Sequence, residues 1–433
     1  MSKIRLFGTS SGYVEIAPAA AASNNTLTAP STVGEIIAKD AAGAIGITSM
    51  KASNVNVGAA VTITESGIDA SGIGITVANI NGGQISGKRN RVRNGAMVIN
   101  QRQASSYTSQ PEFTMDGWKI TNGSSFNFDA TVTHSTDHPS GFAKSLKVTP
   151  DSVQTPTGGH NAVFEQGIEG ADLQDLDYGT SAAKSITASF YAKSGSQNNG
   201  HQYSLDLHHL ATDNTERSFS KPFTVTSSWQ RFTFTFPGDT VKDIADTFDK
   251  EFRFNIVLAA GPDDIVTETD WTTRSLWGGY SGQSNFMDNT NNEFYLTGVQ
   301  LEVGTQATNF EHLSFNENLK ICQRYYCKTY SYAVAPGSNF NSGTNARQGM
   351  VFSYRQRDNN YQAFFWALPA EMRAVPTQTM YSMVGTAGKA SGSVTDYTVN
   401  TNSPHNGTAG VMAYGTNPHA DDGYVHFVLD ADI

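Results

Sequence analysis

The stretch LKICQRYYCKTY (319–330) holds Cys322 and Cys327, the two cysteines of a 433-residue chain. Two thiols this close could pair as a disulfide, ligate zinc or supply a nucleophile. A five-residue offset turns a side chain by roughly 140° on a helix and places it on the opposite face of a strand, so a disulfide between them is disfavoured. Zinc takes four ligands, with more Cys or His close by, and His312 is the one nearby histidine. A catalytic cysteine needs a positioned histidine. The favoured reading is packing, with Cys322 a small apolar side chain on the buried face of a helix.

Two acidic clusters offer a different chemistry. FEQGIEGADLQDLDYG carries Glu165, Glu169, Asp172, Asp175 and Asp177, and GPDDIVTETDW carries Asp263, Asp264, Glu268 and Asp270. Paired carboxylates roughly 5–9.5 Å apart cleave glycosidic bonds, and oxygen-rich loops hold calcium. The favoured reading of both clusters is a solvated loop. No G-x-S-x-G, P-loop or HExxH motif occurs. The expectation is therefore a protein that is not an enzyme, with no catalytic residue, metal or cofactor.

Aromatic side chains beside polar ones suit sugar recognition, because ring faces give contact area and polar tips fix orientation. Two loops fit. DWTTRSLWGGYSGQSNF (270–286) carries Trp271, Trp277 and Tyr280, whose other reading is packing. NTNSPHNGTAG and YGTNPHADDGY carry His405, Tyr414, His419, Asp421 and Asp422. These eight residues are the predicted ligand-binding set.

Composition says what must position them. The net charge is −10, which disfavours nucleic acid as a partner. Charged residues are 16% of the chain, below the ~25% of ordinary globular proteins. Gly, Ser, Thr and Asn fill the gap, as in all-β and fibrous proteins. No run of about 18 apolar residues predicts membrane insertion, and MSKIRLFGTSSG lacks the apolar core of a signal peptide.

Residues 41–87 alternate small apolar residues in short bursts: Val55 and Val57, Val61 and Ile63, and Ile73, Ile75 and Val77. Such strands cannot bury themselves alone and are stabilised by stacking on other copies. The expectation is a trimeric β-structured shaft. The basic GKRNRVRNG that follows reads as a solvated junction. Strong alternation then marks strands at 145–150, 184–194, 203–210, 230–237, 251–260 and 293–303, predicting a jelly-roll β-sandwich over 88–313. SFNENLKICQRYY reads as one short helix, with Leu319, Cys322 and Tyr326 on one face and Ser314 and Glu317 as a capping box. It opens a smaller C-terminal β domain, 314–433, a distal head with strands such as MVFSY and YVHFVLD.

The segment GVQLEVGTQATNFEHLSFNENLKICQRYY (298–326) resembles one recurrent in tail fibres and other receptor-facing proteins of tailed bacteriophages. RNGAMVINQR, DGWKI, IEGADLQDLDYGTSAAKSITASFYAKS, SSWQRFTFTFPG and PAEMRAVPT resemble other parts of that module in the same order, covering about residues 90–433. The opening GTSSGYVEIAPAAAASNNTLTAP resembles structural proteins of marine phages, notably cyanophages. The resemblance implies a virion fibre with a carbohydrate-binding-like jelly roll and a virion-attachment segment at 1–40. Implied partners are a homotrimer, tail, collar or capsid proteins through the N-terminus, and host surface polysaccharide. It makes Trp118 and Trp229, inside the recurrent motifs, core anchors. The readings it leaves beside a tail fibre are a head or collar fibre and a polysaccharide depolymerase.

The shaft reading makes a direct prediction. Light scattering of the full-length protein gives about three times the 46.6 kDa chain mass, and a clean monomer at micromolar concentration contradicts it.

Overall fold

Strands whose alternate residues part into an apolar and a polar face build this chain. In Gln202–Leu210, Tyr203, Leu205 and Leu207 enter the core, while Ser204, Asp206 and His208 take the other face. In Lys250–Ala260, Phe252, Phe254 and Ile256 do the same against Arg253 and Asn255. The computed structural model describes residues 4–7, 13–16, 54–57, 61–64, 67–69, 87–103, 112–123, 126, 128–274, 278–339, 349–355, 361–392, 394–401, 406–417 and 422–433. The chain forms two compact units, residues 1–76 and 77–433.

In the first unit Ile4–Phe7 pairs antiparallel with Tyr13–Ile16. Asn54–Val57, Val61–Thr64 and Gly67–Asp69 form an antiparallel three-stranded sheet. The strands expected around Val55, Val57, Val61 and Ile63 are therefore present. Ile73, Ile75 and Val77 lie outside the described residues.

The second unit contains the sandwich. One sheet runs Thr272–Thr273, Glu216–Thr224, Gln202–Leu210, Lys250–Ala260, Asn161–Glu169, Trp118–Gly123, Glu112–Met115. The other runs Gln230–Phe236, Ile186–Ser194, Phe294–Val303, Ser145–Pro150, Ala130–Ser135. Trp118 stacks on Phe164 at 5.1 Å and meets Phe254 edge-on at 6.0 Å. Phe190 of the opposite sheet meets Phe254 edge-to-face at 6.3 Å. Such aromatic pairs add about 0.5–1.5 kcal/mol each beyond their burial.

Beyond the sandwich, Tyr424–Asp430 is the hub of a second sheet. It pairs with Tyr326–Lys328, Val351–Phe352, Thr377–Tyr381 and Lys389–Ser391. Its own core holds Phe364, Met380, Val411, Val425, Phe427 and Leu429. Tyr354–Arg355, Tyr361–Ala367 and Gly410–Thr416 form a further three-stranded sheet. The all-β class, the sandwich and, among the described residues, the single short α-helix agree with the sequence reading.

Four expectations change. The helix is Phe315–Gln323 with its capping box in place, but it stops before Tyr326, which opens a strand and is buried there. FEQGIEGADLQDLDYG is a fully buried strand to Glu169 and then a 3-10 turn, Gly170–Leu176, so its two glutamates are not on a solvated loop, and neither is Asp264 of the second acidic cluster, which is buried and accepts from Asn161 at 2.7 Å. Trp118 is a core anchor, but Trp229 is half-buried on a sheet's outer face, where it donates to Asp137 at 2.9 Å and packs 6.1 Å from Tyr295. GKRNRVRNG is not a solvated junction either, because Arg93 is buried at 4% exposure.

That basic run opens a strap, residues 88–103, that joins the sandwich to the second sheet. Arg93 lies 3.8 Å above the Tyr325 ring and donates to Asp432 at 3.0 Å. Arg102 lies 3.9 Å above the adjacent Tyr326 and donates to Asp430 at 2.9 Å and Asp432 at 2.7 Å. Arg324, just before the two tyrosines, holds Glu169 of the sandwich through both carboxylate oxygens, at 2.8 and 2.6 Å. Lys328, also buried, donates to the carbonyls of Gln101, Tyr332 and Val334. Gly95 gives the strap its close approach: a Cβ there would sit 2.0 Å from the Val299 carbonyl oxygen. QRYYCK is thus the seam of the unit.

Removing one partner of a buried ion pair leaves a charge stranded, at a cost of about 3–5 kcal/mol. Arg102→Leu is expected to lower stability by that amount in urea unfolding. Arg91→Ala, which breaks the more exposed pair with Asp175, costs under about 1 kcal/mol. Equal effects for the two variants would contradict the strap's role.

Candidate functional site

The strap, the helix and the sandwich edge enclose a groove. Strand Asn161–Glu169 ends at Glu169, and the chain turns tightly through Gly170, where a Cβ would lie 2.0 Å from the Ala245 carbonyl oxygen. This approach lets Ala171 N–H bond Thr247 O at 2.9 Å, which pins the loop carrying Phe248. Arg324 then lies 5.2 Å over the Phe248 ring, whose residue remains 59% exposed. The groove measures about 710 Å3, with Asp172, Lys320, Ile321, Leu313 and Glu371 also on its walls.

A second cavity of about 300 Å3 shares Lys88, Glu311, Leu313 and Ile321 with the first, so the two adjoin. Its aromatic wall is Phe142, Phe310 and His312, with ring centres 4.9–5.2 Å apart. Backbone N–H groups of Arg89 and Asn90 both donate to Glu311 at 2.9 Å, which fixes the strap's entry beside the cavity. Glu311 N–H in turn donates to Gln300 at 2.8 Å, and Gln300 donates to Glu302. Gln300, Glu302 and Glu311 thus hold backbone at the cavity wall.

Two carboxylates of the groove are shifted toward the ionised form. Against the cost of burial, hydrogen bonds from Arg324 and Tyr325 keep Glu169 below the usual carboxylate range. Hydrogen bonds from Ser314 do the same for Glu317. The nearby thiols are inert: burial raises the Cys322 thiol, and pushes that of Cys327 up to about 12. Both cysteines are free and buried.

The four described residues of the predicted ligand-binding set, Trp271, Tyr280, Tyr414 and Asp422, line neither cavity. Trp271 is 7% exposed inside the core, donating to the Pro237 carbonyl at 2.7 Å and packing 5.1 Å from His209. Its ring has no free face, so the packing reading holds for it. Tyr280 lies on the short strand Gly279–Tyr280, with its N–H bonded to Ser204 Oγ at 2.7 Å. Tyr414 is on Gly410–Thr416 of the other sheet system, receiving a bond from Asn400 at 3.0 Å. Asp422 is exposed. Trp277, His405, His419 and Asp421 lie outside the described residues.

Sequence reasoning passed over Phe248, Phe142 and Phe310, because nothing local sets an exposed phenylalanine apart from a core one. A signal did exist for a charged network on the sandwich's polar sheet face. The alternation that sends Leu205, Leu207, Phe252 and Phe254 inward leaves Asp206, His208, Arg253 and Asn255 together on the other face. Glu165 joins them, fully buried, with Lys119 at 3.0 Å and Lys250 at 2.9 Å. Among the described residues no group of three His, Cys, Asp or Glu is placed to share a metal ion.

No family model matches the chain, and no curated protein does. Solved structures similar to part of it include the enzymatically active domain of tailspike protein 4 of bacteriophage CBA120. That match has 15% identity and a TM-score of 0.26, covering 49% of this chain and 21% of that one. A putative sugar binding protein from Bacteroides thetaiotaomicron matches at 14% identity and TM-score 0.30, covering 50% of this chain and 100% of that one. A family 11 carbohydrate-binding module of a cellulosomal cellulase of Clostridium thermocellum matches at 10% identity and TM-score 0.25, covering 48% and 99%.

The Glu165 network sets a pH dependence. Despite burial, Lys250 and Lys119 bring its pKa from 4.5 down to about 2. A depressed carboxylate contributes stability that is full above pH 4.5 and is lost as the pH falls toward 2. Glu165→Gln is expected to be less stable at pH 7 by on the order of 3 kcal/mol. The gap to wild type should close between pH 4.5 and 2 in urea titrations. A gap that stays constant with pH would contradict the ion-pair account.

Proposed function

We propose that the chain is a structural virion fibre protein of a tailed phage, a trimeric tail fibre that binds host surface polysaccharide during adsorption without cutting it. The observation that carries the binding site is the pair of adjoining cavities, with an exposed Phe248 in one and the Phe142–Phe310–His312 wall in the other. Ring faces spaced along a groove suit a linear chain of sugar units, whose C–H faces stack on aromatics. Carboxylates and ammonium groups between them, Asp172, Glu371, Lys320 and Lys88, match hydroxyl donors and acceptors. Volumes of about 300 and 710 Å3 fall in the range of ligand sites, ≈ 300–1,000 Å3.

Binding without cleavage is favoured by the state of Glu169 and Glu317. A glycosidase needs one carboxylic acid that still holds its proton near neutral pH. Glu169 and Glu317 are both pushed the other way. The resemblance over residues 90–433 supplies the virion setting, with attachment to tail, collar or capsid through the N-terminal segment. A shallow groove binds weakly as a single site, and three copies on one fibre raise avidity through effective concentration.

The test is binding of the full-length protein to immobilised host polysaccharide. Phe248→Ala and His312→Ala, which sit on opposite cavities, are each expected to weaken binding by about 3- to 10-fold with an unchanged melting temperature. Trp271→Phe, in the core, is expected to lower stability instead. Undiminished binding in a Phe248→Ala/His312→Ala double variant would place the glycan elsewhere.

A further inference from the structure

The smaller cavity carries two polar side chains that the fold leaves unused. Asn318 stands on the helix Phe315–Gln323, one turn before the buried Cys322, and is itself 6% exposed. Its side-chain amide makes no hydrogen bond among the described residues. An amide buried without a partner is costly. Asn318 is not among the polar atoms that the unit seals off unpaired, so the little surface it keeps lies on the cavity that it lines with Ile321. Lys88, at the start of the strap, is exposed and lines both cavities. Its ammonium has no hydrogen bond and no ion pair among the described residues. Asp172 attracts it only through space, and Arg93 and Arg91 oppose that attraction.

The other polar groups of this cavity are committed. Glu311, the one carboxylate among its lining residues, accepts from the N–H groups of Arg89 and Asn90. Arg93 donates to Asp432 at 3.0 Å and to the Gly167 carbonyl at 2.6 Å. Asn90 donates to the Val299 carbonyl at 2.9 Å, and Asn94 to the Ile99 carbonyl at 2.8 Å. What remains for a ligand is one ammonium and one amide, beside the rings of Phe142, Phe310 and His312. Asp172, Glu317 and Glu371 line the groove and not this cavity.

An unpaired cation beside ring faces complements a sugar that carries a negative charge. At about 300 Å3 the cavity lies at the lower limit of ligand sites and holds one sugar unit. The available donors select the anion. Sulfate and phosphate esters offer three free oxygens and are met by guanidinium forks, and the fork of Arg93 is already spent. Lys88 is a single point charge with no second free cation on this cavity, which suits a carboxylate. We propose that the small cavity is specific for a sugar unit bearing a carboxylate, of the uronic acid class. The carboxylate pairs with Lys88, Asn318 donates to the sugar, and the ring face packs on Phe142 and Phe310. This inference rests on the reading of the paired cavities as a glycan site and adds the charge of the unit bound there. The acidic lining of the adjoining groove confines that charge to the small cavity.

The experiment titrates the full-length chain with D-glucuronate, D-glucose and D-glucose 6-sulfate by ligand-observed NMR. Glucuronate is expected to bind at least about 5-fold more tightly than either of the others. Its advantage over glucose is expected to shrink as NaCl is raised from about 50 to about 500 mM. Lys88→Gln, at an exposed position with no ion pair, is expected to keep the melting temperature and bring glucuronate down to the affinity of glucose. Asn318→Asp, which sets a carboxylate against the ligand, is expected to weaken glucuronate by at least about 10-fold. Arg91→Gln makes the same charge change in the strap but lines neither cavity, and is expected to leave the preference intact. Equal affinity for glucuronate and glucose, sulfate binding as tight as glucuronate, no binding of any probe, or a preference that survives Lys88→Gln would overturn the proposal. Any of these, alongside polysaccharide binding that still falls in the Phe248→Ala/His312→Ala variant, would strike this proposal alone and leave the glycan site standing.

Discussion

The carboxylate of Asp432 has no exposed side-chain surface and is shared by two arginines, Arg93 and Arg102. That interaction is the constraint on which the unit rests. A buried carboxylate is tolerable only when it is paired and fully hydrogen-bonded. Supplying both arginines requires the 88–103 strap to lie between the sandwich and the second sheet. Each arginine then covers one of the adjacent rings of Tyr325 and Tyr326. Once those rings are in place, Arg324 on the preceding residue reaches Glu169, and the helix is drawn against the sandwich edge. The groove exists because these elements cannot separate without stranding charge.

How the fold could be read from the chain follows from which signals are local. Strands such as 203–210 and 251–260 were legible because alternation is a property of the strand itself. The capping box of Ser314 and Glu317 was legible for the same reason, and so was the burial of Cys322 on the helix. FEQGIEGADLQDLDYG was not, because its glutamates read as solvent-seeking until Lys119 and Lys250 of neighbouring strands and Arg324 at the helix end are known to face them. The basic run at 88–93 failed likewise: its partners lie up to 339 residues away. Helix length was over-read at Tyr326 because a strand pairing with Leu429 and Asp430 competes for that segment.

The candidate site was less legible than the fold. Aromatic residues set among Gly, Ser and Gln in the 270–286 loop pointed to Trp271, yet its indole serves the core. The groove's rings are phenylalanines, and only the pinning of the 245–249 loop exposes Phe248. Recurrent motif residues proved to be the scaffold around the site: Gln300, Glu302 and Glu311 hold backbone, and Arg324 holds Glu169. The same segment also supplies Phe310 and His312 to the second cavity's wall, so it carries both scaffold and surface. That frame holds Glu169 and Glu317 below the usual carboxylate range, which is the basis of the proposed binding without cleavage.

The most direct test of that account is prolonged incubation of the full-length protein with host surface polysaccharide, following polymer length by size-exclusion light scattering and new reducing ends by a colorimetric assay. The account predicts retention of polysaccharide on the protein with polymer length and reducing-end content unchanged. Steady shortening of the polymer, abolished by Glu169→Gln or Asp172→Asn, would contradict it and make the groove an active site.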